Sequence, residues 1–514
     1  TRACLMTGRY NYRTRAIDTY IGRAMMEPDE ITIAEVLGKA GYATGLFGKW
    51  HLGDSYPMRP QDQGFDEVLM HRGGGIGQPS DPPGGEDKYT DPILFRNGEK
   101  VQMQGYCTDI YFDEALDWME SVNQRDQNFF TYIATNAPHG PFHDVPEDLY
   151  QMYKEMDLSA DEFPQEEGHE IENQIDSDRL ARIYAMITNI DTNFGKLLDA
   201  LDERGLSENT IVIFMIDNGP NGRRYVAGMR GAKSNVYEGG IRSPFYVRWP
   251  GRLQAGHSND RIAAHIDIMP TLADACGAAI PQDRTIDGMS ILPLLEGTAD
   301  DWPDRQIVIQ AHRGNKPVQF HNFALVTQKW KLLHASGFGN ENFQGEPAFE
   351  LYDLENDPLE MENVAAEHPE VLERLQQDYL EWFKDVSNTR PDNYAPPRIY
   401  IGTPHENPTV LTRQDWRHEK GQPWGRDSIG HWLLHAPEAG TYNITLRLQE
   451  ERPAGEVTVQ IGEQTISSQF ESGQKRITLE KVEIPQGDLA LRATLQLPED
   501  TVGPWQVVVE DISN

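Results

Sequence analysis

Four short segments of the 514-residue chain bring cations, imidazoles and hard oxygen donors together at fixed spacing. In Gly48-Lys49-Trp50-His51-Leu52-Gly53, Lys49 and His51 are two residues apart, so an extended segment turns both to one side. A lysine and a histidine so placed can grip an anion and move a proton. In Asn136-Ala137-Pro138-His139-Gly140-Pro141, two prolines and a glycine fix the loop that carries His139. An imidazole held there suits proton donation to a leaving group. Asp217-Asn218-Gly219-Pro220 offers a carboxylate and an amide oxygen, both hard ligands for Ca²⁺ or Mg²⁺. Lys233 precedes a turn built on Glu238-Gly239-Gly240 and could hold an anionic oxygen, while Arg242 reads as a structural cation paired with a carboxylate. Each segment also has an ordinary reading: a surface lysine, a capping histidine, an Asp-Asn-Gly turn. Taken together they supply what cleavage of an anionic ester needs. A metal neutralises charge, cations hold the remaining oxygens, and an acid protonates the departing alcohol. Residue types alone do not separate sulfate from phosphate.

Elements must hold these segments in place. Residues 43–48, 129–134 and 210–216 read as short buried strands, the last ending at Asp217. Ile187, Ile190, Phe194, Leu197, Leu198 and Leu201 recur at helical spacing, and Tyr111, Ala115 and Met119 mark a second helix over 108–122. Alternating strands and helices predict an α/β sheet flanked by helices, with ligands beyond the carboxyl ends of the strands. Near residue 300 the pattern changes to strands at 306–310, 323–327 and 330–334 and a helix over 368–385, a smaller antiparallel α+β subdomain. A linker, Asn388 to Arg398, leads to a region that reads as all-β. There Tyr442, Ile444, Leu446 and Leu448, then Val457, Val459 and Ile461, then Leu489, Leu491, Ala493, Leu495 and Leu497 alternate with polar residues, the pattern of a β-sandwich. The expected division is 1–300, 301–387 and 398–514.

Composition narrows the partners. With 46 basic and 81 acidic residues the net charge is −35, which argues against a nucleic acid or an anionic membrane surface. No stretch approaches the ~18 apolar residues of a membrane span. Three cysteines do not make a disulfide framework. Cys107 and Cys276 read as buried small hydrophobes.

In their order along the chain, these segments resemble the type I, formylglycine-dependent sulfatases of the arylsulfatase and N-acetylgalactosamine-sulfatase kind, in the alkaline phosphatase superfamily. The family signature, Cys or Ser, any residue, Pro, any residue, Arg, then Leu-Thr-Gly-Arg, is matched at its end by Thr1-Arg2 and Thr7-Gly8-Arg9. Gly48–Gly53, Pro138-His139, Asp217–Gly219 and Tyr237–Pro244 match further motifs. So do Asp267-Ile-Met-Pro270-Thr271, Asp287-Gly288-Met-Ser-Ile-Leu-Pro293 and Leu351-Tyr352-Asp353-Leu354 with Asp357-Pro358, Glu360 and Asn363. The likeness covers roughly residues 1–385.

The resemblance implies an alkaline-phosphatase-like fold and a formylglycine nucleophile made by a maturation enzyme from a Cys or Ser upstream of Thr1, so Cys4 is not the nucleophile. It further implies Ca²⁺ (Mg²⁺ less readily) on Asp217 and Asn218, Arg2 steadying the formylglycine, and Lys49 and Lys233 holding the sulfate. His51 would take the proton that expels sulfate from the covalent intermediate, and His139 would protonate the leaving oxygen, with help from Lys233. The chain departs from the family in lacking the nucleophile and the two aspartates of the family's first strand. Met215-Ile216 also replaces small polar residues. The expectation is a fragment that misfolds with unpaired strand edges and is inactive. A sulfated glycan is the expected substrate, with His143, Arg223, Arg224, His312 and Arg313 as sugar contacts and a periplasmic or secreted location. His431-Trp432 and Ala439-Gly440-Thr441-Tyr442 look like carbohydrate-binding modules, with a bracing sandwich as the other reading. The rival functions are a phosphodiesterase or phosphonate monoester hydrolase, and a catalytically dead glycan-binding protein.

Overall fold

The computed structural model describes residues 1–163, 167–171, 175–222, 224–299, 301–339, 343–392, 394–425 and 427–513. Its first sheet contains β1 (Ala43–Lys49), β2 (Glu67–His71), β3 (Ile93–Arg96), β4 (Glu99–Gln102) and β5 (Phe129–Ala134), in the order β4-β3-β2-β1-β5. β1 is buried at every position, as a strand between two parallel neighbours must be. It pairs in parallel with β2, Lys49 opposite His71, and with β5, Gly48 opposite Ala134. The chain segments that leave β1, β2 and β5 therefore emerge along one edge.

Successive residues of β1 serve opposite faces. Leu46 packs with Leu5, Met6, Val36, Leu37 and Met269, from the helices Arg2–Thr7, Ile33–Lys39 and Ile268–Ala275. Phe47 packs with Tyr111, Ala115, Ala181 and Ala185, from the helices Cys107–Asn123 and Ser177–Glu203. Side-chain caps start two of these helices, Ile33–Lys39 and Ser177–Glu203. Thr32 and Glu35 form a reciprocal capping box, and Asp176 accepts from the Arg179 amide at 3.0 Å, each cap contributing about 1 kcal/mol.

One strand departs from expectation. β6 (Val212–Met215) does not join the main sheet but pairs antiparallel with β7 (Phe245–Arg248). Val212 shares an apolar cluster with Phe129 and Ile133 of β5, and Met215 shares another with Phe130 and Tyr132. β5 and β6 are thus packed into common clusters on both faces, with no ladder between them among the described residues. Met215 is packed, whereas Ile216 is exposed.

A second sheet runs β11-β10-β9-β8, from β8 (Ile307–Gln310), β9 (Phe323–Val326), β10 (Trp330–His334) and β11 (Glu350–Asp353). Leu375 and Tyr379 of the helix Pro369–Val386 cover it through Phe323, Leu325, Leu332 and Leu351. Lys331 on β10 is fully buried between Glu238 (2.8 Å) and Glu360 (2.6 Å), and Glu360 also accepts from the Glu238 amide. This triad clamps the turn after Lys233 onto the second sheet.

The C-terminal region forms two facing sheets. β12 (Ile399–Tyr400), β15 (Ile429–Ala436), β20 (Gly487–Gln496), β17 (Gly455–Ile461) and β18 (Gln464–Phe470), with β14 (Arg417–Lys420) and β21 (Thr501–Val502) attached, make one. β13 (Thr409–Thr412), β22 (Gln506–Asp511), β16 (Gly440–Arg447) and β19 (Arg476–Ile484) make the other. The alternation read from the sequence is the core face: Tyr442, Ile444, Leu446, Val457, Val459, Ile461, Leu491 and Leu495 are all buried. Trp432 and Tyr442, the aromatics of the carbohydrate-module likeness, are 0% and 1% exposed. They are core residues and offer no sugar platform.

The 388–398 segment is docked rather than loose. Arg15 lies 3.9 Å over the Tyr394 ring and pairs with Asp392, and Arg23 donates to the Tyr394 carbonyl. Asn393 of that segment lies outside the described residues.

Candidate active site

Lys49, His51 and His139, read from the sequence as candidates, lie at the edge where β1, β2 and β5 end. Lys49 is the last residue of β1, is 8% exposed, and its ammonium makes no hydrogen bond or ion pair with a described residue. Burial pushes its ammonium well below the usual lysine range; the cations of Arg2 and Lys233 push the same way, and Asp217 opposes them. Five separate segments therefore supply one cluster. Arg2 comes from the helix Arg2–Thr7, Lys49 and His51 from the end of β1, His139 from the loop after β5, Asp217 from the end of β6, and Lys233 from the loop before the Glu238 turn. At Asp217 desolvation works to raise the carboxyl, but Arg2, Lys49 and Lys233 together hold it below its usual range.

The two histidines each have one ring nitrogen committed to a backbone carbonyl. His51 Nε2 lies 3.0 Å from the Thr19 carbonyl and His139 Nδ1 lies 2.9 Å from that of Gly140. A carbonyl accepts only, so those nitrogens carry the protons and His51 Nδ1 and His139 Nε2 keep their lone pairs. Burial lowers both imidazoles below the usual histidine range, with Lys49 and Lys233 adding to the effect, and Arg2 adding at His51. The His139 loop is pinned by Tyr89, whose hydroxyl donates to the His139 carbonyl at 2.7 Å, and by Tyr111, which donates to Asn136 Oδ1 at 3.0 Å.

The Asp217-Asn218-Gly219 loop is set by close approach. A Cβ at Gly219 would come within 1.9 Å of the Gly239 carbonyl oxygen, so only glycine lets this loop lie against the 238–241 turn. Asn218 makes no hydrogen bond with a described residue, and Thr1 Oγ1 donates to the Asp217 carbonyl at 2.9 Å. Two hard oxygen donors, one held anionic, fit Ca²⁺ in chemical type. They are fewer than the 6–8 oxygens Ca²⁺ takes, and among the described residues no three His, Cys, Asp or Glu side chains are placed to hold a metal ion together.

Other predicted residues fall elsewhere. His312 is buried, with Nδ1 on the Arg313 carbonyl at 2.8 Å and Nε2 accepting from the Val318 amide at 3.2 Å. Both nitrogens are used, so it is corrected to a structural residue. Arg313 spends its guanidinium on Asp18 (2.8 Å) and Thr19 Oγ1 (2.9 Å) and lies 4.0 Å over Tyr20. It braces the Thr19 carbonyl that holds His51. His143 is exposed, and Arg224 is half-buried, donating to the Asn221 carbonyl at 2.7 Å. Arg223 lies outside the described residues. Arg242 is exposed and has no carboxylate partner among the described residues, against expectation. Cys107 is buried as expected, whereas Cys276 is only half-buried. Asp287 and Asp267, matched as motifs, are braces: Asp287 holds Arg13 and the Tyr10 amide, and Asp267 holds Arg305 and two backbone amides.

Four contributions escaped sequence reasoning. The loop after β2 places Gly74 against His51 and Gly75 against His139; a Cβ at Gly74 would lie 2.7 Å from His51 Nε2, and one at Gly75 3.2 Å from His139 Nδ1. The glycine run Gly73-Gly74-Gly75 was a visible signal for this. His265, whose Nε2 lies 3.1 Å from the Ile216 carbonyl, neighbours Asp217. The Thr19 carbonyl and the Gln414 amide, which meet at His51, left no local signal.

Comparison with known proteins fits this geometry. The family model described as Sulfatase matches residues 1–278, and that described as N-sulphoglucosamine sulphohydrolase, C-terminal, matches residues 232–385. The chain belongs to the sulfatase family, a family of sulfuric ester hydrolases. Human arylsulfatase A is 30% identical over 419 residues, covering 73% of this chain and 76% of that protein. An N-acetylglucosamine-6-O-sulfatase of Bacteroides thetaiotaomicron is 26% identical over 473 residues, 76% of this chain and 78% of that one. An uncharacterized sulfatase of Escherichia coli, YdeN, is 28% identical over 60% of this chain, which spans 54% of that relative's length. Among solved structures, Ps i-CgsB superposes with a TM-score of 0.63 at 24% identity, covering 77% of this chain and 84% of the other. The same protein bound to k-i-k-neocarrahexaose gives 0.62 at 25% identity, with 77% and 83% covered. The α/β fold of this sulfatase is thus that of solved sulfatases, the alkaline-phosphatase-like class.

Proposed function

We propose that this sulfatase hydrolyses sulfate esters on a sulfated glycan. The observation that carries the reading is the cluster of Arg2, Lys49 and Lys233 around Asp217, His51 and His139, in which the buried Lys49 makes no ion pair with a described residue and three cations share one carboxylate. Unpaired cations of that kind are stable when an anion completes them. Lys49 and Lys233 hold the sulfate oxygens. Arg2, in the same cluster as Lys49 and Asp217, steadies the nucleophile. His51 accepts a proton on Nδ1. His139 Nε2 faces the ester oxygen; binding of the anion offsets the cations that depress its basicity, so it can carry the proton that the departing alcohol needs.

Asp217 and Asn218 would hold Ca²⁺, which when bound neutralises sulfate charge and polarises sulfur. The nucleophile is formylglycine, made by a maturation enzyme from a Cys or Ser three positions before Thr1. Its role as a covalent catalyst splits a hard hydrolysis into two easier steps. The glycan preference draws on the relatives named for N-acetylglucosamine and N-acetylgalactosamine sulfates, and a periplasmic or secreted site on the same kinship. No helix among the described residues is long and apolar enough to cross a membrane. The domain division that supports this reading is 1–300, 301–387 and 398–514, with the sandwich as a brace rather than a sugar module.

The test is turnover by the matured full-length protein. Release of sulfate from sulfated oligosaccharides, abolished by a chelator and restored by Ca²⁺, is expected. Cleavage of phosphodiesters or phosphonate monoesters with no sulfate release would overturn the reading. A phosphonate monoester hydrolase from Silicibacter pomeroyi shares the fold at a TM-score of 0.53, which makes that control informative.

A further inference from the structure

The β-sandwich reaches into the catalytic cluster. Gln414 lies between β13 and β14 and is 1% exposed, although its sequence distance from His51 is 363 residues. Its Nε2 donates to the Thr19 carbonyl at 2.7 Å and lies 3.4 Å from His51 Nε2, which is itself 3.0 Å from that carbonyl. A carbonyl oxygen has two lone pairs and can accept both donors. The amide orientation is fixed by this contact, because an amide oxygen at 2.7 Å from a carbonyl oxygen would be repelled. Thr19 and Gln414 therefore define the plane in which His51 Nε2–H is held, and leave Nδ1 as the basic nitrogen.

The surroundings anchor this contact from both sides. The Gly22 amide donates to the Gln414 carbonyl at 3.2 Å, the Asp54 amide to Asp415 Oδ2 at 3.3 Å, and Arg417 to the Ile21 carbonyl at 2.5 Å. Met25 and Met58 of the catalytic region pack in the sandwich core, and Glu406 accepts from the Tyr56 amide at 2.8 Å while pairing with Arg72. His51 has a φ of +59°, a conformation that a non-glycine residue keeps only when its neighbours over-determine it. Gln414 Oε1 has no hydrogen-bond partner among the described residues, so the buried amide is present at some energetic cost. That is expected of a group retained for placement rather than for stability.

We propose that Gln414 is a positioning residue for His51, and that the sandwich is a built-in part of the active site rather than an appended module. The inference deepens the sulfatase reading, since it rests on His51 being the proton acceptor. It is tested on the matured full-length protein by ¹⁵N NMR of the histidine rings, with the His51 signal assigned by its absence in His51→Gln. Wild type is expected to carry the His51 proton on Nε2. Gln414→Leu and the slimmer Gln414→Met are expected to give a mixture of tautomers and to lower kcat about tenfold or more, with KM within twofold. Arg59→Ala, which removes a donor to the His405 carbonyl (3.1 Å) at the same interface but away from His51, is expected to lower Tm while leaving tautomer and kcat within twofold. A wild-type His51 protonated on Nδ1 would overturn the proposal without any variant. So would a wild-type tautomer and kcat in both Gln414 variants, or losses that Arg59→Ala reproduces. Failure of the wild type to release sulfate from any ester sinks the sulfatase reading instead, and leaves the tautomer measurement to decide the role of Gln414.

Discussion

Lys49 and Lys331 are both buried, and their surroundings differ in kind. Lys331 lies between Glu238 and Glu360 at 2.8 and 2.6 Å, so its charge is compensated twice. Lys49 has Arg2 and Lys233 as its electrostatic neighbours and one carboxylate, Asp217, opposing them, with no ion pair of its own. An ammonium taken out of water without a partner is costly, and one between two carboxylates is held in place. On the proposed reading the substrate anion completes the arrangement at Lys49, whereas that at Lys331 clamps the chain to itself. The same contrast separates the histidines: His51 and His139 each leave one nitrogen uncommitted, whereas His312 spends both.

The largest effect that would break this comparison is a crossed pair of substitutions. Lys49→Met is expected to lower kcat/KM for sulfate esters about 10²- to 10³-fold, the scale for removing one donor from a charge-stabilising set, with Tm unchanged or higher. Lys331→Met is expected to destabilise by about 3–5 kcal/mol, because it strands two buried carboxylates, while folded enzyme at low temperature retains its kcat. Calorimetry and steady-state kinetics on both variants decide it. If Lys49→Met unfolds the protein and Lys331→Met does not, the assignment of roles is reversed.

Much of this was legible beforehand, for a reason the two lysines make plain. Lys49, His51, His139, Asp217 and Lys233 sit in short stretches whose neighbours also serve the site, so local residue types carried the signal. Strand and helix positions followed from apolar periodicity, as at 129–134 and 330–334, where the observed strands have those bounds. Gln414 and Thr19 meet His51 only through tertiary packing, and nothing in Arg413-Gln414-Asp415 marks it as part of a distant site. The pairing of β6 was misjudged because an apolar run specifies a buried strand and not its ladder partner. Trp432 and Tyr442 were ambiguous because an aromatic reads alike whether it faces a core or a sugar.

The histidines give a smaller effect with a definite sign. Burial depresses His312 to about 4 from an ordinary 6.5. The unfolded chain therefore binds a proton that the native state refuses, so the His312 contribution is present above pH 6.5 and is lost as pH falls towards 4. The full shift corresponds to roughly 3 kcal/mol. Asp18 works the other way: burial raises it from 3.8 to about 6, so its contribution is present at low pH and lost as pH rises through that range. Denaturant titrations of wild type and His312→Asn are expected to converge as pH falls from 7 to 4. A difference that stays constant over that range would remove His312 protonation from the account.

The smallest effect concerns cations that are neither clamped nor clustered. Arg313 directs its Nη1 at Asp18 and Thr19, and Arg224 makes one hydrogen bond with a described residue, to the Asn221 carbonyl, with no partner for its Nε among the described residues. Arg224 is thus a sugar-contact candidate whose guanidinium retains donors for a ligand. Loss of one such contact is worth about 1 kcal/mol, or roughly a fivefold rise in KM. Arg224→Ala is expected to show that rise on a sulfated oligosaccharide and to leave kcat/KM for a small aryl sulfate within twofold. Equal losses on both substrates would mean that Arg224 acts through the catalytic cluster, and no loss on either would take it out of the glycan site. Only a loss confined to the oligosaccharide fits an arginine that reads the sugar beyond the sulfate.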